Sequence, residues 1–210
     1  MNCIYCNHSY IYQLADEQCK CSKCKRKFSL KKIRREKLLF THFQNSDTAR
    51  KTSIETSMHF ITVQKYFDKF RKRVAHYSDE MYQLNSHRVT DYDEYLYLPR
   101  SLDIKKDLDK LQHFLTLAYD DTIYTIMMPK MKQSIFHPED KKEKKLLMKY
   151  LKFNTISKLS KSQNIITQFW EYFEEFICQY KGVSNEKFIF YLKEAEWRFN
   201  IEQKSNRLLA

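Results

Sequence analysis

Two Cys-x-x-Cys pairs open the chain, Cys3/Cys6 and Cys21/Cys24, with fourteen residues between Cys6 and Cys21. Four thiolates at this spacing make a tetrahedral ligand set, and zinc is the ion such a set suits. All four positions are protein sulfur, so the ion would be structural, with no coordination site left for catalysis. Cys19 is a fifth thiol in the same stretch, but Cys19 to Cys24 is not a Cys-x-x-Cys spacing, so it stays outside the set. His8 is a weaker alternative ligand. A disulfide framework competes poorly, because the cysteines are clustered and no apolar secretion signal leads the sequence. Redox chemistry by a single pair competes poorly too, since the pair is doubled and no βαβ pattern surrounds it. Cys178 stands alone in a later helical stretch and reads as a core or helix-face thiol.

The elements that must position these thiols are short. Tyr10-Ile11-Tyr12-Gln13 and Phe28 read as β-segments, which predicts a zinc ribbon over residues 1–30. A domain that small needs its metal to fold. The whole chain has 210 residues, room for one large domain or two small ones. At 42% hydrophobic and 15% aromatic it can bury a core. Its one glycine excludes P-loop, Rossmann and nucleophile-elbow chemistry, each of which needs several. No stretch of about 18 apolar residues is present, so no membrane partner is expected. The expected location is cytoplasmic.

Net charge is +12, and most of it belongs to residues 1–90, where basic residues exceed acidic ones by ten. That asymmetry predicts a polyanion-binding module joined to a near-neutral one. Lys25-Arg26-Lys27 and Lys31 to Arg35 follow the second cysteine pair. A helix is predicted over about Ile33–Phe43. Asn45-Ser46-Asp47 signals the start of a short second helix, Asp47 to Thr52. After a turn at Ser53 to Thr56, Thr56 or Ser57 should cap a long third helix. Phe60, Val63, Phe67, Phe70 and Val74 form its apolar stripe. This is the layout of a helix-turn-helix over residues 31–86, whose last helix enters the major groove. Ser57, His59 and Thr62 would lie nearest base edges. Lys65, Lys69 and Lys72 would meet phosphates, with Arg71 and Arg73 beside the last.

In the second half, residues 88–97 read as a strand carrying acids. Leu111–Tyr119 and Thr122–Met128 read as a hairpin turning at Asp120-Asp121, and Pro99 and Pro129 close the first and third strands. After Pro138 the pattern becomes helical, first over Glu139–Leu151. Asn164–Tyr180 follows, with Ile166, Phe169, Trp170, Phe173, Ile177 and Tyr180 on one stripe. Gly182 is expected at the C′ position. Ser184 should cap a last helix with Phe188, Tyr191, Leu192, Ala195 and Phe199 inward. The expected fold class is α+β and multi-domain.

Several of these residues resemble an insertion-sequence transposase family with an N-terminal zinc ribbon, a helix-turn-helix and an RNase H-like DDE domain. The matching features are the four-cysteine ribbon, the helix-turn-helix, Asp93-Glu94 on an early strand and a C-terminal block. That block runs Asn164-x-x-x-x-Phe169-Trp170, Tyr180-Lys181-Gly182-Val183-Ser184 and Tyr191 to Asn200. The resemblance implies a truncated RNase H-like α/β domain over residues 87–210. It also implies double-stranded DNA as partner, a homo-oligomer and a nucleoid-associated protein.

Strand transfer by this family uses three acidic groups holding two Mg²⁺ ions. The resemblance places Asp93 first. The middle position has Asp140 as its nearest candidate. At the last, the family's Asn-x-x-Glu-x-Phe-Trp becomes Asn164-x-x-Thr167-x-Phe169-Trp170, so Thr167 stands where the acid belongs. Glu171 lies one turn on along the same helix face. The reading is therefore a sequence-specific DNA-binding protein of transposase descent with an eroded nuclease site. The alternatives are an active Mg²⁺-dependent transposase using Asp93, Asp140 and Glu171, and a domesticated DNA-binding or oligomeric partner protein.

Overall fold

The computed structural model describes residues 1–98, 111–129, 156–158 and 164–209. They form a mixed α+β structure with two antiparallel sheets. Packing divides the chain into two compact units, Met1–Phe70 and Arg71–Ala210. The sequence pattern changes at 30/31 and 86/87, whereas the packing draws its line inside one long helix.

The first unit begins with a three-stranded sheet, β1 (Ile11–Gln13), β2 (Gln18–Cys21) and β3 (Lys27–Ser29), in sequential order. β2 was not expected, because its polar Gln-Cys-Lys-Cys sequence hides the alternation. Cys19 and Cys21 are buried, whereas Gln18 and Lys20, which alternate with them, are only half-buried. Cys3, Cys19, Cys21 and Phe28 form a small core, with Ile11, Leu30 and Ile33 packed on it.

α1 (Leu30–Gln44) follows without a linker and starts earlier than the apolar pattern suggests. The reason is Ser29, whose Oγ accepts the Lys32 N–H at 3.3 Å and caps the helix. α2 (Ala49–Glu55) is capped by Thr48, not by the Asn45-Ser46-Asp47 signal. Asn45 instead caps the C-terminus of α1. Asp47 is held by side chains, His42 Nδ1 at 2.8 Å and Lys51 Nζ at 2.6 Å.

α3 (Phe60–Asn85) also departs at its start. Thr56 Oγ1 donates back to the Thr52 carbonyl, and Ser57 sits in the left-handed region at φ 52°. Neither caps the helix. His59 does, with Nδ1 accepting the Ile61 N–H at 3.3 Å. Of the expected stripe in the first unit, Val63, Phe67 and Phe70 are buried with Leu39 and Phe43 of α1, whereas Phe60 at the helix start is exposed. Phe43 lies 5.3 Å from Phe67 and 5.6 Å from Phe70, ring to ring. Each fully buried ring contributes about 1.5–3 kcal/mol.

Among the described residues, the second unit contains the rest of α3, a four-stranded sheet and two further α-helices. β4 (Asp91–Tyr97), β5 (Gln112–Tyr119), β6 (Thr122–Met127) and β7 (Ile156–Lys158) stand in the order β6-β5-β4-β7. Every pairing among the described strands is antiparallel, so this part is α+β rather than an alternating, parallel α/β layer. The β5–β6 connection is one physical reason: a two-residue turn can join only antiparallel strands. Asp120 and Asp121 take φ 44° and 60°, the left-handed pair that such a turn demands, without glycine.

α4 (Ile165–Cys178) starts after Asn164, whose Oδ1 accepts the Thr167 N–H. Ile166, Phe169, Trp170, Phe173 and Ile177 are buried against Tyr95, Phe114 and Ile123 of the sheet. The Trp170 indole N–H donates to the buried Thr116 hydroxyl at 2.9 Å, which removes the cost of burying it. Gly182 does take a positive φ, 70°, but it lies beyond the Gln179 cap, in the connection, and not at C′.

α5 (Asn185–Leu209) follows Ser184 and turns Phe188, Leu192, Ala195 and Phe199 inward as expected, with Tyr191 half-buried. It also buries four charged residues, Lys193, Glu194, Glu196 and Arg198. Glu194 accepts from Arg71 Nε at 2.6 Å and from Arg198 at 2.6 and 3.0 Å. Glu196 accepts from Lys193 Nζ at 2.9 Å, and from the backbone N–H and the hydroxyl of Thr125 at 2.8 and 2.7 Å. The Asn200 amide bonds both the N–H and the carbonyl of Ile123. The predicted helix Glu139–Leu151 lies outside the described residues.

Candidate metal centre and nucleic-acid surface

Each cysteine pair folds into the same knuckle. The Cys3 carbonyl accepts the Asn7 N–H at 2.9 Å, and the Cys21 carbonyl accepts the Lys25 N–H at 3.2 Å. Asn7 and Lys25, each one residue after its pair, take φ 55° and 58°. In each loop a backbone N–H points at the first sulfur: Tyr5 N–H at Cys3 Sγ, 3.5 Å, and Cys24 N–H at Cys21 Sγ, 3.4 Å.

The two knuckles face each other. Cys3 Sγ lies 3.6 Å from Cys24 Sγ and Cys6 Sγ 3.5 Å from Cys21 Sγ, and all four sulfurs lie within 4.8 Å of one another. A tetrahedron with metal–sulfur bonds near 2.3 Å has sulfurs about 3.8 Å apart. The sulfurs are too far apart for disulfides, which need about 2.05 Å. The set can therefore hold a metal ion. Burial acts to raise the Cys21 thiol, but the Cys24 and Lys23 N–H groups and neighbouring thiols outweigh it and bring it down to about 6. Cys24 is pushed up to about 11: the Arg26 N–H lowers it, and burial and the other three thiols more than reverse that. Cys19 packs in the core beneath, and it and the half-buried His8 both lie outside the metal-ligating group.

A second group with metal-ligating atoms, His42, Asp47 and Glu55, was not foreseen. Its cation is already present. Lys51 Nζ lies 2.6 Å from Asp47 and 3.7 Å from Glu55, so the group is an ion network tying α1 to α2. Lys51 first and His42 second hold the Asp47 carboxyl below the usual carboxylate range.

The expected DNA contacts divide. Lys25, Arg26 and Lys27 are exposed, with Arg26 5.2 Å over the Tyr5 ring. Ser57 and His59 are exposed, and Thr62 is half-buried. Lys65 is exposed, and Lys69 is exposed but tied to Glu36 at 3.0 Å. Lys72 and Arg73 are exposed too, Lys72 5.7 Å from the Phe190 ring. Arg71 corrects the expectation: it is buried, paired with Glu194 and lies 4.0 Å over the Tyr191 ring. One helical turn after Phe67 and three residues before Val74, it falls on the apolar stripe itself. Burial would lower its pKa, but Glu194 more than reverses that.

Asp93 lies buried on β4, with Oδ1 accepting the Glu94 N–H at 2.9 Å. Glu94 points to the opposite face and meets His113 Nε2 at 3.0 Å. Asp91, two residues before Asp93 and so on its face, was missed, although strand alternation alone predicts it. It accepts from the Asn164 amide. Thr167 meets the Tyr95 hydroxyl at 3.3 Å. Burial pushes that hydroxyl up to about 12, and the charges of Asp93, Glu171 and Asp91 add to the rise. Glu171 is exposed. Among the described residues, Asp93 belongs to no group of three or more converging ligand atoms. Asp140 lies outside the described residues. No family model, curated protein or solved structure matches the chain.

Proposed function

We propose that the protein is a DNA-binding protein of transposase descent, with a structural zinc ion in the four-cysteine site and an eroded nuclease site. The observation that carries the DNA reading is the order of α2, a four-residue connection and α3, with Ser57, His59 and Lys65 exposed at the connection and along the first turns of α3. In this reading the start of α3 enters the major groove of double-stranded DNA, and Lys65, Lys69, Lys72 and Arg73 meet phosphates. Arg71 has no part in it. The four thiolates favour zinc over harder ions. Thr167 in place of a carboxylate, bonded to Tyr95, supports the loss of the two-metal site.

The test is binding of labelled duplex DNA over a range of salt. Affinity should fall steeply with salt, and Lys65→Ala with Lys69→Ala should lower the slope by about 0.9 for each phosphate no longer neutralised. A flat salt response overturns the DNA reading. Metal-dependent nicking that Asp93→Ala abolishes would overturn the eroded-site reading and establish strand cleavage instead.

A further inference from the structure

The ribbon sheet has two faces of different character. Ile11, Cys19, Cys21 and Phe28 occupy the face that packs on the small core. The other face carries a row across all three strands. Tyr12 is directly opposite Lys20, and Lys20 is directly opposite Lys27, so the three side chains stand side by side on it. Neighbouring strands lie about 4.8 Å apart, which makes the row roughly 10 Å long. Tyr10 stands two residues before Tyr12, on the same face, and the two rings meet edge to face at 5.2 Å. Tyr10 is 58% exposed and Tyr12 47%, and Lys27 is exposed beside them. The face bears no carboxylate. The ribbon's two acids lie in the β1–β2 turn, and Glu17 is paired with Arg34 at 3.1 Å.

We infer that this face is a stacking platform for single-stranded DNA, with Tyr10 and Tyr12 taking unpaired bases and Lys20 and Lys27 taking the adjoining phosphates. Exposed aromatic rings beside a line of cations are the chemistry of sequence-tolerant single-strand binding, because every base offers a π face and every link a phosphate. Duplex DNA hides its base faces and gives tyrosines on a sheet nothing to stack on. The platform is separate from the start of α3, and its commitment to DNA rests on the DNA-binding reading above.

The experiment uses the full-length, zinc-loaded chain and a labelled thymidine oligonucleotide, read by fluorescence anisotropy. Tyr10→Ala with Tyr12→Ala should weaken binding about 10-fold or more. Tyr12→Phe keeps the ring and should bind within about two-fold of the parent, which separates stacking from the hydroxyl. Lys20→Gln with Lys27→Gln should lower the salt slope by about 1.4. Zinc content and circular dichroism confirm that each variant is folded. Unchanged affinity in the folded double tyrosine variant overturns the platform, as does a Tyr12→Phe loss equal to that of alanine. Binding to an oligouridine but not to the DNA strand overturns it as well. Duplex binding that persists while the thymidine strand is indifferent to the tyrosines defeats the platform alone. Tyrosine-dependent single-strand binding without any duplex binding defeats the α3 reading alone.

Discussion

In the ribbon, four metal-loving side chains converge on one point; along β4, acids of comparable promise do not. The knuckle loops leave the cysteine sulfurs little to meet but each other and backbone N–H groups. Several acids of the second unit are answered one by one by protein. Asn164 meets Asp91, His113 meets Glu94, and arginines meet Glu194. An array of like ligands needs an ion to be stable, whereas a charge paired with a side chain does not. The first unit therefore carries a ligand set that can hold a metal ion, and the second answers these acids with its own side chains.

Breaking each arrangement should leave the other intact. The largest effect belongs to the cysteines. Chelation, or Cys21→Ser, should drop the zinc content from about one ion per chain to near zero and unfold the ribbon. Elemental mass spectrometry measures the first and amide exchange of β1–β3 the second, while exchange in β4–β6 should stay slow. A ribbon that remains protected without metal would break the comparison.

Next comes Glu194→Gln, which strands two buried guanidinium groups. The loss should be about 3–5 kcal/mol. In a chain of this size that lowers the melting temperature by roughly 10 °C. Zinc content should not change.

Asp47→Asn tests an intermediate case, a charge network inside the unit that carries the cysteine set. Its carboxyl is held low in the folded chain, so protonation favours unfolding. The stabilisation is fully present above the ordinary aspartate range and is lost as pH falls through that range towards the lower folded value. The variant should lose about 1 kcal/mol near neutral pH, discounted for the exposed Lys51 partner, and almost nothing in strong acid. Denaturant melts at the two pH values would show it.

The smallest effect is the response to Mg²⁺. Millimolar Mg²⁺ should shift the melting temperature by less than about 1 °C, because among the described residues no carboxylates converge with Asp93 to bind an ion that would stabilise the fold. A clear upward shift would mean that Asp93 has found its partners after all.

Much of this was legible in the sequence, where the signal is local. The two cysteine pairs announce the metal-ligating set by spacing alone. The stripes of α3 and α4 announce most of their buried faces by period. The hairpin at Asp120-Asp121 was also legible without glycine, since aspartate tolerates the left-handed region. What was hidden depends on distant partners. Nothing near Arg71 signals that it will meet Glu194, 123 residues away. Lys193, Glu194, Glu196 and Arg198 look like the solvated side of a helix until sheet and helix close around them. Helix starts were misplaced for a subtler reason. Asn45, Asp47 and Thr56 all have the chemistry of a cap, and competing hydrogen bonds decide which residue serves.

The pairing of Asn200 with Ile123, and of Glu196 with Thr125, has a consequence for self-association. β6 lies at the margin of the four-stranded sheet, where bare backbone donors and acceptors would template a strand from another chain. The side chains of α5 occupy three of those groups, acting as a false neighbouring strand. Any self-assembly of this protein by strand addition is closed off along that stretch, and Asn200→Ala should open it to aggregation.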